Sequence, residues 1–228
     1  LTKNMASADA DSAYRTTRVG AVSFTLERRF TPVLLLGQGT YGVVCAARVA
    51  GQAEQVAIKK ISGVFNEQNN IVEAKRTLRE MILLRHLQHE NVCGIHYIML
   101  PPPEHDVYLV SQKMDSDMQK IIQSGQPITD DHCRYFIYQM LRGLKYVHSA
   151  SIAHRDLKPS NVLLNANCDL KITDFGLARA IEEDESNKMT QYVVTRWCPC
   201  PRHAFAACRA PPAPRTHTHT HFSTPSPP

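Results

Sequence analysis

His154-Arg155-Asp156-Leu157-Lys158-Pro159-Ser160-Asn161, followed after two short apolar runs by Asp174-Phe175-Gly176, decides how this chain is read. Pro159 prevents a helix here and fixes a loop, so several polar groups can converge on one point. The apolar runs NVLL (161–164) and LKIT (170–173) read as two short strands flanking a turn. In such a loop Asp156 is placed to accept the proton of an incoming hydroxyl. Lys158 would offset charge on a moving phosphoryl group, and Asn161 and Asp174 would hold Mg²⁺ between phosphate oxygens.

Upstream, VLLLGQGTYGVVCAARV is two β-rich runs joined by the glycine-punctuated turn Gly37-Gln38-Gly39-Thr40-Tyr41-Gly42. The pattern GxGxxG by itself also fits a dinucleotide site, but that site needs a helix directly after the glycines. Here the strand Val43-Val44-Cys45-Ala46 follows, so the glycines form a flap whose backbone N–H groups close over nucleotide phosphates. QVAIKKI then alternates, placing Ala57 and Lys59 on one face and Val56, Ile58 and Lys60 on the other. The small Ala57 leaves room for an adenine ring beside Lys59. Glu80, central in the next helix, is positioned to hold Lys59 towards the α- and β-phosphates.

The periodicity predicts a helix over 71–87 with Ile71, Ala74, Leu78, Met81 and Ile82 as its apolar stripe. VYLVS is a further strand. Thr129 caps a helix whose stripe is Cys133, Phe136, Ile137, Met140, Leu144 and Val147. Residues 1–23 are small and polar with no sustained period, and read as a flexible arm. No apolar run reaches about 18 residues, and the opening residues lack the apolar core of a secretory leader. Without such a leader Cys45, Cys93, Cys133 and Cys168 read as reduced core residues, and the expected compartment is the cytoplasm, with the nucleus beside it. The net charge is +5, but Arg202, Arg209 and Arg215 supply three of those charges after Trp197, where no acidic residue occurs. The remainder is near balance, which argues against a nucleic-acid-binding domain.

These motifs, with GLKYVHSASIAHRDLKPSNVLLN and LKITDFGLARAIEEDESNKMTQYVVTRW, resemble the eukaryotic protein kinases and, within them, the mitogen-activated protein kinases, from about Phe24 to Trp197. The resemblance implies an α+β, two-lobed protein-kinase fold. Residues 24–115 would form the sheet-rich ATP lobe and residues 116–197 part of the helical lobe, between a flexible arm (1–23) and a disordered tail (198–228). It implies ATP and Mg²⁺ as cofactors, protein substrates with Ser or Thr before Pro, and an upstream dual-specificity kinase, with no nucleic acid and no membrane. ATP would be held by Leu36, Gly37, Gln38, Gly39, Thr40, Tyr41, Gly42, Val43, Val44, Ala57, Lys59 and Glu80, with the hinge backbone of Gln112 and Met114. Ser111 would guard the back of the adenine pocket and, being small, leave it open.

Thr190 and Tyr192 would be the activation phosphosites. Gln191 stands between them where known branches carry Glu, Gly or Pro, and the overall wording leans to the extracellular-signal-regulated branch. A phosphate on Thr190, with about −1.5 to −2 charge, would pair with Arg79, Arg155 and Arg179. Of the two arginines that grip the phosphotyrosine, Arg196 matches the first, and Pro199 stands where the second is expected.

After Trp197 the family continues Tyr-Arg-Ala-Pro-Glu and several helices follow, whereas this chain continues Cys198-Pro199-Cys200-Pro201. Eight of the 14 prolines and no glycine fall in the last 31 residues, a composition that reads as disorder. Cys198, Cys200, His203 and Cys208 match no firm zinc spacing. With the later helices missing, the apolar stripe of helix 129–149 is expected to face water on part of its width. Two rivals stand beside the enzyme: a non-catalytic nucleotide-binding module that sequesters partners, and a cyclin-dependent kinase, against which the spaced Thr190 and Tyr192 speak.

Overall fold

The structure, a computed structural model, describes residues 13–39, 42–65, 71–102 and 105–180. Thr40, Tyr41, Thr190, Tyr192, Arg196 and the tail 198–228 lie outside them. The first lobe is built on a five-stranded antiparallel sheet. In chain order its strands are β3 (Phe30–Gly39), β4 (Gly42–Val49), β5 (Gln55–Ile61), β6 (Ile95–Met99) and β7 (Val107–Gln112), ordered β3-β4-β5-β7-β6 in space. Val44 pairs with Lys59 and Ala46 with Ala57, so the Ala57 and Lys59 face is continuous across β4 and β5. The opposite face carries Cys45, Ile58 and Tyr108, each fully buried.

What covers that opposite face corrects, for residues 13–23, the reading of residues 1–23 as a flexible arm; residues 1–12 lie outside the described residues. β1 (Tyr14–Val19) and β2 (Val22–Glu27) form an antiparallel hairpin that lays Phe24 and Leu26 onto it. Two residues join the strands, and Gly20, at φ +60°, supplies the left-handed first position that so tight a turn requires. The Tyr108 hydroxyl accepts the Thr25 N–H at 3.1 Å and pins the hairpin to the sheet. The arm's polar look comes from Thr16 and Arg18, which face away from the buried positions, and from Thr17, which is half-buried opposite Phe24. The first lobe therefore begins at least as early as residue 13.

Helix α1 (Ile71–His86) forms where it was expected, but turned about its axis. Thr77, Glu80 and Leu84 are buried, whereas Ile71, Leu78 and Ile82 are half or more exposed. Ala74 and Met81 do pack inward, against Val64, Val107 and Leu109. A tally of apolar side chains sums the whole stripe, but here the inward direction is set by one buried charge, Glu80, and by Leu84 entering the core of the second lobe.

In that lobe β8 (Ser116–Asp117), β10 (Val162–Leu164) and β11 (Leu170–Ile172) form a small sheet. Beside it lie α2 (Met118–Gln123) and α3 (Asp130–Ser149), and β9 (Ile152–Ala153) pairs with β12 (Arg179–Ala180). Thr129 caps α3 as expected: its hydroxyl accepts the His132 N–H, and the His132 ring accepts the Thr129 N–H. Phe136, Met140 and Val147 are buried, and Cys133, Ile137 and Leu144 are half-buried. The apolar surface that α3 exposes is thus a different one, made of Tyr135, Tyr138 and Leu141. Cys45, Cys93, Cys133 and Cys168 are all free thiols, the first two buried and the others only half so.

The rotation of α1 gives a direct comparison. Leu84→Ala is expected to cost about 2–5 kcal/mol in chemical denaturation, and Leu78→Ala no more than about 0.5 kcal/mol. Equal costs would return α1 to the orientation expected from its periodicity.

Candidate active site

Three structural pieces meet beneath the sheet: the glycine hairpin, helix α1, and the loops at the ends of α3 and β11. Val44 registers opposite Gly37 on β3 and opposite Lys59 on β5, so these side chains share the face turned to the second lobe. Val43 registers with Gln38 and Lys60, and its side chain packs in the outer cluster with Ile58 and Phe24. Of the expected nucleotide contacts, Val43 and Gln38 therefore offer the cleft their backbone and not their side chains. Nothing lies within 4 Å of where a Cβ would stand on Gly37 or Gly39, which leaves open space on the flap. Gly42 differs: its φ is +141° and a Cβ there would sit 2.4 Å from the Lys60 carbonyl oxygen, so the backbone of β5 excludes any other residue.

Lys59 Nζ donates to both oxygens of Glu80, at 2.7 and 2.9 Å, and lies 4.0 Å from Asp174 Oδ1. Glu80 is 6% exposed, which a helical carboxylate tolerates only with a partner. Burial pulls the Lys59 ammonium down, but Glu80 and then Asp174 more than offset it, and its pKa stands above the ordinary lysine value. Burial likewise pushes the Glu80 carboxyl up, against the pull of Lys59. Lys60 points the other way, to Asp106 at 2.9 Å and the Ser23 carbonyl at 2.8 Å, as its register requires. Asp174, Gly176, Glu80, Thr77, Ile61 and Gly42 line a cavity of about 180 Å³ between flap, helix and loop.

The loop after β9 forms a compact network. Asp156, 4% exposed, accepts Lys158 Nζ at 2.7 Å and Asn161 Nδ2 at 3.1 Å on the same oxygen, Oδ2. Pro159 opens a single 3-10 turn, Pro159–Asn161, and the Thr173 N–H donates to the Asn161 carbonyl, so the loop is tied to the strand that delivers Asp174. Arg155 and Asp174 both sit at φ +66°, strained for non-glycine residues. The His154 ring holds this arrangement: Nδ1 accepts the Asp156 N–H at 3.2 Å and Nε2 donates to the Thr173 carbonyl at 2.9 Å. The buried Phe175 ring meets it edge-on at 4.6 Å.

Arg79, Arg155 and Arg179 do come together, and Arg76, not singled out from the sequence, joins their field. Partial burial, then the like charges of Arg179, Arg155 and Arg76, hold the Arg79 guanidinium below its ordinary value. Arg79 Nη1 donates to the Gly176 carbonyl at 3.2 Å. At the far end of the cleft, Gln112 ends β7 and the buried Met114 follows it, and Ser111 pairs with Ala57. The Cys93 thiol, buried, is within hydrogen-bonding reach of Ser111 and Thr173. Sequence reasoning also passed over Lys120, whose Nζ pairs with Asp117 at 3.0 Å and donates to the Leu36 carbonyl at 3.4 Å, joining the lobes at the mouth of the cleft.

A glycine flap on a five-stranded sheet, a helix whose Glu reaches a strand Lys, and a polar loop beneath define the two-lobed architecture of protein kinases. The sequence matches the protein kinase domain family over residues 30–204, past the Trp197 at which the likeness was expected to end, and the chain belongs to that family. Over 182 residues it is 58% identical to mitogen-activated protein kinase homolog MMK2 of Medicago sativa, covering 78% of this chain and 48% of that protein. It is 57% identical to mitogen-activated protein kinase 4 of Arabidopsis thaliana, over 78% of this chain and 47% of that one. Against mitogen-activated protein kinase 6 of Oryza sativa subsp. japonica it is 58% identical over 173 residues, 75% of this chain and 45% of the other. The chain spans about half the length of these relatives.

Burial depresses the pKa of His154, so the unfolded chain takes up the proton first. Stability is therefore expected to fall as pH drops below about 6.5, the ordinary histidine value. Denaturation midpoints at a series of pH values should show this acid limb, flattened in a His154→Gln variant. An unchanged limb would mean that His154 is not the neutral ring the geometry requires.

Proposed function

We propose that the protein carrying this chain is a serine/threonine kinase of the mitogen-activated type, which transfers the γ-phosphate of ATP to Ser or Thr hydroxyls preceding Pro. Its activity would be switched by phosphorylation of Thr190 and Tyr192. The observation that carries this reading is Lys59, held on both Glu80 oxygens while 4.0 Å from Asp174. Such a pair presents one ammonium in a fixed direction, under a flap with open space at its glycines.

The residues fit ATP and Mg²⁺. Among the described residues no group of three or more His, Cys, Asp or Glu gathers as a metal cage. That suits Mg²⁺, which binds through one or two protein oxygens with phosphate and water completing its shell. Asp174 would supply a carboxylate and Asn161 its Oδ1, since Nδ2 is spent on Asp156. When bound, Mg²⁺ would supply positive charge to offset that of the phosphates.

The chain's own groups do the rest. Leu36, Ala57, Gln112 and Met114 enclose the base, and the Gly37, Gly39 and Gly42 backbone covers the phosphates. Lys59 orients the α- and β-phosphates. Asp156 accepts the proton of the attacking hydroxyl at its carboxylate, and Lys158, 2.7 Å from that carboxylate, offsets charge as the phosphoryl group moves. Arg79, Arg155 and Arg179 would receive the phosphate of Thr190, coupling helix, catalytic loop and β12. The nucleotide would lie between an ATP lobe ending near residue 115 and the lobe from residue 116.

A binding-only module remains a second reading, because α3 exposes Tyr135, Tyr138 and Leu141. Residues 1–228 with MgATP and a Ser-Pro peptide separate the two. Thermal stabilisation with phosphate transfer supports the enzyme, and stabilisation without transfer supports the module. In an active protein, Asp156→Asn is expected to lower turnover by about 10²–10⁴-fold while MgATP still binds. Normal turnover in that variant would remove Asp156 from the role of base.

A further inference from the structure

Asp174 is delivered by β11, and the two edges of that strand are held by different means. One edge pairs with β10, Leu164 opposite Leu170 and Val162 opposite Ile172. The other edge is held by two side chains and a short stretch of backbone. The Leu170 N–H donates to Gln139 Oε1 at 2.9 Å, and the Leu170 carbonyl accepts from Asn91 Nδ2 at 3.0 Å. Two residues on, the Ile172 N–H donates to the Asn91 carbonyl at 2.9 Å, and the Ile172 carbonyl accepts the Cys93 N–H at 2.8 Å. Asn91 Nδ2 also donates to Gln139 Oε1 at 3.2 Å, and Gln139 Nε2 donates to the Cys168 carbonyl at 2.8 Å. Both amides are buried. They stand where the peptide groups of a further strand would, and so fix how far β11 can slide along its own axis.

The pair lies between the two halves of the site. Asn91 belongs to the segment that leads from α1, the helix of Glu80, into β6, and Gln139 belongs to α3 of the second lobe. Gly143, one turn past Gln139, is what lets α3 come this close. A Cβ there would meet the Asn91 carbonyl oxygen at 3.0 Å and Ile172 Cδ1 at 3.1 Å. Asp174 follows the end of β11 by two residues and sits at φ +66°. A non-glycine residue keeps that conformation only where its flanks are fixed. His154 and Asn161 grip Thr173 from the catalytic loop. Asn91 and Gln139 grip the start of the same strand from behind. A small slide of β11 would move the Asp174 carboxylate away from Lys59, now 4.0 Å distant, and from Asn161 together.

We propose that Asn91 and Gln139 are positioning residues for nucleotide-bound Mg²⁺: by fixing the register of β11 they set where Asp174 stands between Lys59 and Asn161. Neither amide touches the nucleotide or the ion. Their effect reaches the site through Asp174 alone, so it falls on the part of ATP binding that depends on Mg²⁺ and spares the part that depends on the base. The inference rests on the reading of Asp174 as a holder of Mg²⁺, but not on catalysis by this chain.

The test measures, by calorimetry on the full chain, ATP affinity with and without Mg²⁺, and adenosine as a probe that makes no call on Asp174. In Asn91→Ala and in Gln139→Met the gain in affinity that Mg²⁺ brings should shrink by about three- to tenfold, less than the ~10–100-fold seen when a direct partner of a metal ligand is removed. Adenosine affinity should stay as in the parent. The double variant should lose no more than either single one, because the two amides act as one support. Gly143→Ala keeps every hydrogen-bonding group and covers the case in which Asn91→Ala does not fold. Its methyl wedges α3 off Asn91 and should cut the Mg²⁺ gain about twofold, although alanine favours the helix itself. A Mg²⁺ gain unchanged in Asn91→Ala and Gly143→Ala overturns the proposal. So does an equal loss for adenosine and MgATP, the mark of a fold loosened throughout. Asp174→Asn separates the two readings. A gain that Asp174→Asn leaves intact removes Asp174 as the holder of Mg²⁺, and this inference with it. A gain lost in Asp174→Asn but kept in the other variants overturns the inference alone.

Discussion

The ion pair between Lys59 and Glu80 sets more of this structure than any other contact. Glu80 sits on the inward face of a helix at 6% exposure, a place where an unpaired carboxylate would cost several kcal/mol. Lys59 removes that cost by meeting both of its oxygens. The rotation of α1 follows from it. With Glu80 inward, Leu84 enters the core of the second lobe, and Ile71, Leu78 and Ile82 turn to solvent. Arg79, one step round the helix, is carried to the Gly176 carbonyl and towards Arg155 and Arg179. A single pair thus orients the cation beneath the flap and sets the side of α1 from which Arg79 reaches the Gly176 carbonyl.

The second lobe meets this pair through the strand that delivers Asp174. Residues just before β6 run beside β11: the Cys93 N–H donates to the Ile172 carbonyl at 2.8 Å, and the Ile172 N–H to the Asn91 carbonyl at 2.9 Å. The segment that leads from α1 into β6 and the approach to Asp174 are therefore one hydrogen-bonded unit. His154 extends it by joining Thr173 to the Asp156 backbone. The strained φ of Arg155 and Asp174 persists because these bonds over-determine the loop on both sides.

Much of this was legible in the residues themselves. Short motifs carry their own geometry: Pro159 dictates a loop, GxGxxG between strands dictates a flap, and Thr129 caps α3. Period-two alternation puts Ala57 and Lys59 on one face, and the central place of Glu80 in the next helix marks it as the partner of Lys59. The failures share a cause. The β1–β2 hairpin hid because its buried residues, Phe24 and Leu26, cover a sheet face that local pattern cannot see. The stripe on α1 points the wrong way because periodicity weighs apolar side chains, whereas one buried charge, Glu80, decides the rotation. The motif groups Val43 and Gln38 with the flap as a whole, and only register separates their side chains from it. Arg76 and Lys120 carry no local signal, since each matters through a contact made across the fold.

Calorimetric titration of MgATP into the chain and its Glu80→Gln variant tests the account most directly. The variant leaves Lys59 in place but removes what aims it, so affinity is expected to fall by about tenfold or more, near 1.4 kcal/mol, with part of the binding heat lost. Unchanged affinity and heat in Glu80→Gln would mean that the pair does not orient Lys59 towards a nucleotide.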